Sequence, residues 1–249
     1  MAVGREDDAG EGRGLSAELL AARWNSEYRA GRYVAERPLP FVDRILSTLR
    51  AHPAAMSGVG LYVGCGNGRN YLPLVAAGLT LHGLDVSREA LDQLIARRAD
   101  LKPRLTCADF RDLEIGSPFD YLVAIQVFQH GAQADAESYF ARTAAMLKAG
   151  GLFFLRVNSA STEMHLRHTI IDRNDFGGLT VRYDEGPKRG LCVHFYASEE
   201  LLELARDRFS LLAGPREDVT ERTPPKTGRW SQWEVVWQRL EKKKLRPRR

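Results

Sequence analysis

Glycines at 64, 66 and 68 fall in the run Gly60-Leu61-Tyr62-Val63-Gly64-Cys65-Gly66-Asn67-Gly68-Arg69-Asn70. Their spacing lets a backbone turn tightly and touch a ligand with no Cβ in the way. Asp85 ends the apolar stretch Leu81-His82-Gly83-Leu84, 17 residues after Gly68, and a carboxylate there can accept both hydroxyls of a ribose. Asp109 closes the next stretch in Cys107-Ala108-Asp109-Phe110. From there it can take an adenine amino group while Phe110 packs on the ring. Each feature alone also reads as a strand-to-helix turn, a helix cap or a solvated loop acid. Placed in register at three consecutive strand ends, they point to an adenosine site. His130, in Phe128-Gln129-His130 after the fourth apolar stretch, is the best-placed general base if the chemistry needs one; a structural or solvent-facing histidine is the other reading.

These residues need a scaffold that brings several strand ends to one edge, and the chain supplies its pattern. From residue 58, short apolar runs (Val59–Val63, Leu79–Leu84, Leu105–Ala108, Tyr121–Val127, Leu152–Val157) alternate with amphipathic helices such as Ser87–Ala99 and Ala136–Lys148. In the first of these helices Ser87 is the expected N-cap, with Ala90, Leu91, Leu94 and Ile95 on one face. Apolar strands alternating with helices predict a parallel sheet covered on both faces. Upstream, two helices are expected from about Ser16 to Tyr28 and from Pro40 to Leu49, giving a helical cover over 15–52. Downstream, Leu179–Tyr183 and Leu191–Tyr196 read as a hairpin across Gly186, Pro187 and Gly190, and 160–196 as an inserted substrate cap, a plain surface hairpin with no role at the site being the other reading. On it, Arg182, Tyr183, His194 and Tyr196 are candidates to line an acceptor pocket. A helix from Ser198, a short apolar run Phe209–Ala213 and a last strand Trp233–Trp237 complete one domain over 15–239. In that strand Trp233, Val235 and Trp237 share one face.

Composition narrows the partners. The 249 residues include 36 Lys or Arg against 32 Asp or Glu, a formal +4. Residues 239–249 alone carry seven basic residues and one acid, which leaves 29 basic against 31 acidic, or −2, for the rest. The basic balance therefore belongs to a tail at 240–249, and a nucleic-acid partner is not expected. Residues 1–14 are Gly-rich and charged and read as a disordered lead. No apolar stretch approaches a membrane span or a signal-peptide core. Cys65, Cys107 and Cys192 form no Cys-x-x-Cys pair, which fits a reducing, cytoplasmic setting. His165 and His168 could share a helical face with Asp172, but the spacing matches no zinc signature and no metal is expected.

The glycine loop, Asp85, Asp109, the segment Phe119-Asp120-Tyr121-Leu122-Val123-Ala124-Ile125-Gln126 and the string Leu147-Lys148-Ala149-Gly150-Gly151 together resemble class I S-adenosylmethionine-dependent methyltransferases over roughly residues 20–158. Within that class Gly64–Asn70 is similar to the loop of tellurite-resistance-type enzymes. Trp24-x-x-x-Tyr28-x-x-Gly31 is similar to the N-terminal segment of thiopurine-type ones. The resemblance implies an α/β, Rossmann-like doubly wound sheet of seven mostly parallel strands with an antiparallel last strand. It implies S-adenosylmethionine as cofactor, held by Trp24, Gly64, Gly66, Gly68, Asp85, Val86, Asp109, Phe110 and Gln126. It also implies methyl transfer by in-line displacement to a small-molecule acceptor. One position departs: the family has an acid two residues before the first loop glycine, and here it is Tyr62. Two other readings stay open. A nicotinamide-type oxidoreductase would want Gly or Ala where Arg69 stands, and a regulatory or scaffold protein would bind the cofactor without catalysis. Nucleic-acid amino-methyltransferases place an Asn- or Asp-Pro-Pro-aromatic string where Ile125-Gln126-Val127-Phe128 stands.

Overall fold

The computed structural model describes residues 17–114 and 116–241; the expected disordered lead and all but the first two residues of the basic tail lie outside them. The chain opens with helices α1 (Ala17–Arg29), α2 (Phe41–Ala51) and α3 (Pro53–Met56). Strand and helix then alternate through β1 (Val59–Val63), α4 (Tyr71–Ala76), β2 (Thr80–Asp85), α5 (Arg88–Arg97), β3 (Leu105–Cys107), β4 (Phe119–Ile125), α6 (Gln133–Met146) and β5 (Leu147–Asn158). An insertion follows, of β6 (His168–Arg173), β7 (Leu179–Tyr183) and β8 (Cys192–Phe195), and the chain closes through α7 (Ser198–Ala205), β9 (Phe209–Glu221) and β10 (Arg229–Arg239).

Seven strands form one sheet in the order β3-β2-β1-β4-β5-β10-β9, with β10 antiparallel to both of its neighbours. The order reverses beside β1, so the carboxyl ends of β1, β2, β3 and β4 open onto one crevice, the usual ligand site of such sheets. The runs of apolar sequence are explained by burial on both faces. Along β4, Leu122 and Ala124 enter the layer under α6 and α7, while Tyr121, Val123 and Ile125 enter the layer under α2, α4 and α5. β10 divides as its pattern predicts, Val235 and Trp237 to the first layer and Val236 to the second.

α1 sits on α5 through a shared cap. Ser87 Oγ accepts the Ala90 N–H at 3.1 Å, and Asn25 Oδ1 accepts the Glu89 N–H at 3.0 Å and the Ser87 hydroxyl at 2.8 Å. Two of the unpaired N–H groups at the start of α5 are thus satisfied, one of them by a different helix.

Three expectations need correction. The insertion is a three-stranded antiparallel sheet rather than a hairpin, because His168 to Arg173 pair with β7 as a strand, which removes the helical face considered for His165, His168 and Asp172; its β-branched run Thr169-Ile170-Ile171 suits a strand. The apolar run at Phe209 continues to Glu221 because β10 is long enough to pair along it, alternating outward side chains on a sheet edge. The insertion residues expected to line a pocket do not face the cleft. Arg182 is exposed, and Tyr183 lies in the insertion's own small core with Val181, Val193 and Phe195. His194 is buried between Thr180 Oγ1 at 2.9 Å and Glu200 Oε1 at 2.7 Å. Tyr196 is buried in the main core and donates its hydroxyl to the Phe128 carbonyl.

Candidate adenosine-binding cleft

The crevice is a cleft of about 900 Å³ including its open mouth. The structure brings Trp24, Gly64, Gly66, Asp85, Val86, Asp109, Phe110, Gln126 and His130 to its wall. Gly68 does not reach it: a Cβ there would lie 2.8 Å from side-chain atoms of Leu72 and Leu94, so this glycine serves the packing of α4 and α5 behind the loop.

The loop is built for close approach. Gly64, Gly66 and Gly68 have φ of +71°, +54° and +97°, a region open to glycine and strained for residues with a Cβ. A Cβ on Gly66 would collide with the Tyr28 hydroxyl, and one on Gly64 with Val127. Asp85 is the anchor of the loop. Its Oδ2 accepts the Gly66 N–H at 2.8 Å and its Oδ1 the Ser87 N–H at 2.8 Å, so the carboxylate lies between the loop and the start of α5. Burial raises its pKa to about 6, against the downward pull of the Ser87, Gly66 and Val86 backbone donors. A carboxylate has about four lone-pair sites. With two used by the backbone, the rest remain for hydroxyls arriving from the cleft.

Asp109 shows a feature that the sequence did not reveal. Arg111 clamps it, with Nε 3.0 Å from Oδ1 and Nη2 2.7 Å from Oδ2, and reaches on to Asp135 Oδ1 at 3.1 Å. Burial pushes the Asp109 carboxyl up, but hydrogen bonds from the Arg111 side chain and backbone hold it below the ordinary carboxylate range. Asp109 therefore stays an acceptor, fixed in orientation. Phe110 forms part of an aromatic cluster, 5.1 Å from Phe128 between ring centroids, and presents one side to the cleft.

α1 closes the cleft from above. Trp24 meets the His130 ring edge-on at 5.3 Å and Tyr28 at 6.2 Å, and Tyr33 adds a third ring 5.8 Å from Tyr28. Nothing in the sequence marked Tyr33, whose φ of +62° belongs to a tight turn after α1. Tyr62, at the position of the missing acid, is buried in the cleft floor beside Asn70 and edge-on to Tyr71 at 5.9 Å.

The far end is formed by the loop after β4. Gln126 has a φ of +60°, a strained conformation for a residue with a Cβ. It is over-determined by its surroundings: its N–H bonds the Arg156 carbonyl at 2.7 Å and its Nε2 the Gln232 Oε1 at 2.8 Å. Arg156 in turn donates to Gln232 Oε1 at 2.8 Å and is paired with Glu234 and, at 2.6 Å, with Asp218. The insertion holds the other side of the loop, since the His194 N–H bonds the Gln129 carbonyl at 2.8 Å and the Gly131 N–H bonds the Cys192 carbonyl at 3.1 Å. His130 is buried, and its Nδ1 makes no hydrogen bond. Burial, and after it the positive charge of Lys188, lower its pKa to about 3, with the Gln126 carbonyl pulling the other way. Its imidazole is neutral at physiological pH.

Residues 61–153 match the model of a methyltransferase domain. The ubiquinone biosynthesis O-methyltransferase of Nitrobacter winogradskyi is 34% identical over 94 residues, 37% of this chain and 35% of that protein. The cypemycin N-terminal methyltransferase of a Streptomyces species is 34% identical over 97 residues, 38% of this chain and 40% of that one. The matched segments thus span well under half the length of these relatives. The structure of a Burkholderia thailandensis 1,6-didemethyltoxoflavin-N1-methyltransferase, with bound 1,6-didemethyltoxoflavin and S-adenosylhomocysteine, superposes with a TM-score of 0.62 at 19% identity, over 95% of this chain and 99% of that one. At that identity the likeness is one of fold. These comparisons give no support to a nicotinamide-dependent oxidoreductase or a non-catalytic scaffold. Among the described residues no three His, Cys, Asp or Glu side chains form a metal-binding group, and no helix is long and apolar enough to cross a membrane.

Proposed function

We propose that this chain, which carries a class I S-adenosylmethionine-dependent methyltransferase domain, transfers a methyl group to a small-molecule acceptor by in-line displacement. The observation that carries the reading is the convergence of the glycine loop, Asp85 and Asp109 from three consecutive strand ends on one cleft. The residues fit an adenosine cofactor. Side-chain-free backbone lines the loop, a buried carboxylate retains free lone pairs, and a second acid is kept ionised by its arginine.

When bound, S-adenosylmethionine supplies an electrophilic methyl on a positively charged leaving group, so alignment and exclusion of water account for most of the catalysis required. Asp85 takes the ribose hydroxyls, and Asp109 takes the adenine amino group, with Val86 and Phe110 against the ring. Gly64 and Gly66 let the backbone reach the methionine end, where the Tyr62 and Asn70 side chains offer neutral hydrogen bonds in place of the absent acid. Trp24 and Tyr28 cover the cleft and exclude solvent. Gln126 fixes the loop that carries His130, whose neutral imidazole accepts the proton of a hydroxyl or amine acceptor. The insertion over 160–196 acts as a cap by bracing this loop, and the three free cysteines suit a cytoplasmic enzyme. Calorimetry with S-adenosylhomocysteine tests the cofactor site, and formation of that product in the presence of candidate acceptors tests turnover. Failure of S-adenosylhomocysteine to bind would overturn the assignment.

A further inference from the structure

Gln126 enters the cleft wall with an amide whose two ends are distinguished by its neighbours. Arg156, on β5, is buried and can only donate hydrogen bonds. Its Nε donates to Gln232 Oε1 at 2.8 Å, so the Gln232 carbonyl must face the guanidinium. The Gln232 NH2 group then points the other way, to Asn158 Oδ1 at 3.3 Å, and that oxygen also accepts the Trp230 indole, another pure donor, at 3.1 Å. Gln126 Nε2 lies 2.8 Å from the same Gln232 Oε1. An oxygen in its place would meet an oxygen, so the Gln126 amide must give its NH2 group to Gln232 and turn its carbonyl end away from the network. Among the described residues no hydrogen bond reaches Gln126 Oε1. Further along the same loop the His130 N–H bonds the Val127 carbonyl at 3.0 Å, so the chain turns and Gln126 and His130 line one cleft. His130 is buried, and its Nδ1 also has no hydrogen-bond partner. A neutral imidazole keeps one acceptor nitrogen. One short loop thus brings two uncharged acceptors without partners to the cleft.

We propose that Gln126 is a specificity-determining residue and that the nucleophile is a neutral nitrogen carrying at least two hydrogens, one held by Gln126 Oε1 and one by His130. Gln232 and Arg156 are positioning residues that fix the polarity of the Gln126 amide. The inference rests on the methyltransferase reading and adds the nucleophilic atom to it. A buried acceptor left unpaired carries its full desolvation cost. A hydroxyl has one hydrogen and can satisfy one of the two acceptors. A thiolate, phenolate or carboxylate would set a negative atom against both. An amino group satisfies both. With its two hydrogens held and its substituent in the third direction, the nitrogen is left with its lone pair in the fourth, which is the alignment that in-line transfer requires. The lone pair forms the bond to the methyl carbon as the carbon–sulfur bond breaks and sulfur keeps the electron pair. One hydrogen passes to His130 as a proton, and the other stays on nitrogen against Gln126. The methylated product, with fewer hydrogens, fits the pair of acceptors less well, which favours release after one transfer.

The test is calorimetry on the full chain saturated with S-adenosylhomocysteine, titrated at pH 7.5 with aniline, N-methylaniline and N,N-dimethylaniline, uncharged rings that carry two, one and no N–H. Affinity should fall by about fivefold with each hydrogen removed. Methyl bulk alone would give a similar order, and the variants separate the two causes. Gln232→Met removes the oxygen that orients the Gln126 amide and should erase most of the difference between aniline and N-methylaniline, which bulk would leave in place. Gln232→Glu keeps oxygens for both Arg156 and Gln126 and should retain the difference. The S-adenosylhomocysteine affinity of each variant reports that the fold and cofactor site are intact, and the order of affinities in the parent chain is a test that needs no variant. Equal binding of the three anilines, binding of none at millimolar concentration, phenol binding 10-fold or more tighter than aniline, or Gln232→Met retaining the full difference would each overturn the proposal. Failure of the parent chain to bind S-adenosylhomocysteine would instead overturn the methyltransferase reading beneath it.

Discussion

Replacing Asp85 by asparagine separates two roles that one carboxylate performs. In the parent chain both oxygens accept backbone N–H groups, from Gly66 and Ser87. Asparagine keeps the shape but turns an NH2 group toward one of these donors, leaving it unpaired at a cost of about 1–3 kcal/mol. The removed charge works the other way. Burial raises the Asp85 pKa from 3.8 to about 6, which corresponds to roughly 3 kcal/mol by which ionisation disfavours the folded protein at neutral pH. Because the folded carboxyl holds its proton more tightly than the unfolded one, this destabilisation develops as pH rises from about 4 to 6 and is complete above that range. The two terms nearly cancel, so the melting temperature of Asp85→Asn at pH 7.5 should stay within about 5 °C of the parent. Cofactor binding has no such compensation. Loss of charge-assisted hydrogen bonds to ribose hydroxyls should weaken S-adenosylhomocysteine at least 10-fold, about 1.4 kcal/mol. Calorimetry across pH 5–8 provides a second signature: parent affinity falls below about pH 6 as Asp85 protonates, whereas the variant stays flat. A variant that folds and binds within threefold of the parent would refute the role given to Asp85.

Gly66→Ala places a Cβ at φ +54° against the Tyr28 hydroxyl; a loss of about 1–3 kcal/mol in thermal stability is expected together with weakened S-adenosylhomocysteine binding, and a melt unchanged from the parent would show that the loop relaxes freely. His130→Gln should keep cofactor affinity and lower kcat with a hydroxyl or amine acceptor by at least 10-fold; undiminished turnover rules out the base. With the His130 pKa held near 3, its imidazole stays neutral down to pH 5, so any acid limb of the rate profile near pH 6 should disappear in Asp85→Asn and not in His130→Gln. Removing residues 242–249 should leave S-adenosylhomocysteine affinity unchanged by the same calorimetry, because among the described residues those lining the cleft fall within 20–139.

Much of the cofactor side was legible because it is local. A glycine loop after an apolar strand, and acids at the next two strand ends, occupy places that the alternation of strand and helix fixes by itself, and Ser87 announced its own cap. The acceptor side was not. The fixed conformation of Gln126 depends on Gln232, 106 residues away, and on an arginine buried against Glu234. Arg111 stands two residues from Asp109, yet its clamp was hidden because a basic residue in a loop usually points to water. Gly68 matched the motif but turned inward, since a spacing rule does not say which side of a turn meets helix packing. The insertion residues were misplaced because alternation along a strand assigns two faces without saying which one another layer covers.

Periodicity, glycine spacing and the placement of acids at strand ends determined the sheet, its two covered faces and the cradle proposed for adenosine, since each follows from backbone geometry within about 30 residues. Only the tertiary structure decided what surrounds the acceptor. Trp24 on α1 and the loop carrying Gln126 and His130 come from distant segments, and the burial that gives them their chemistry exists only when those segments share one low-dielectric wall.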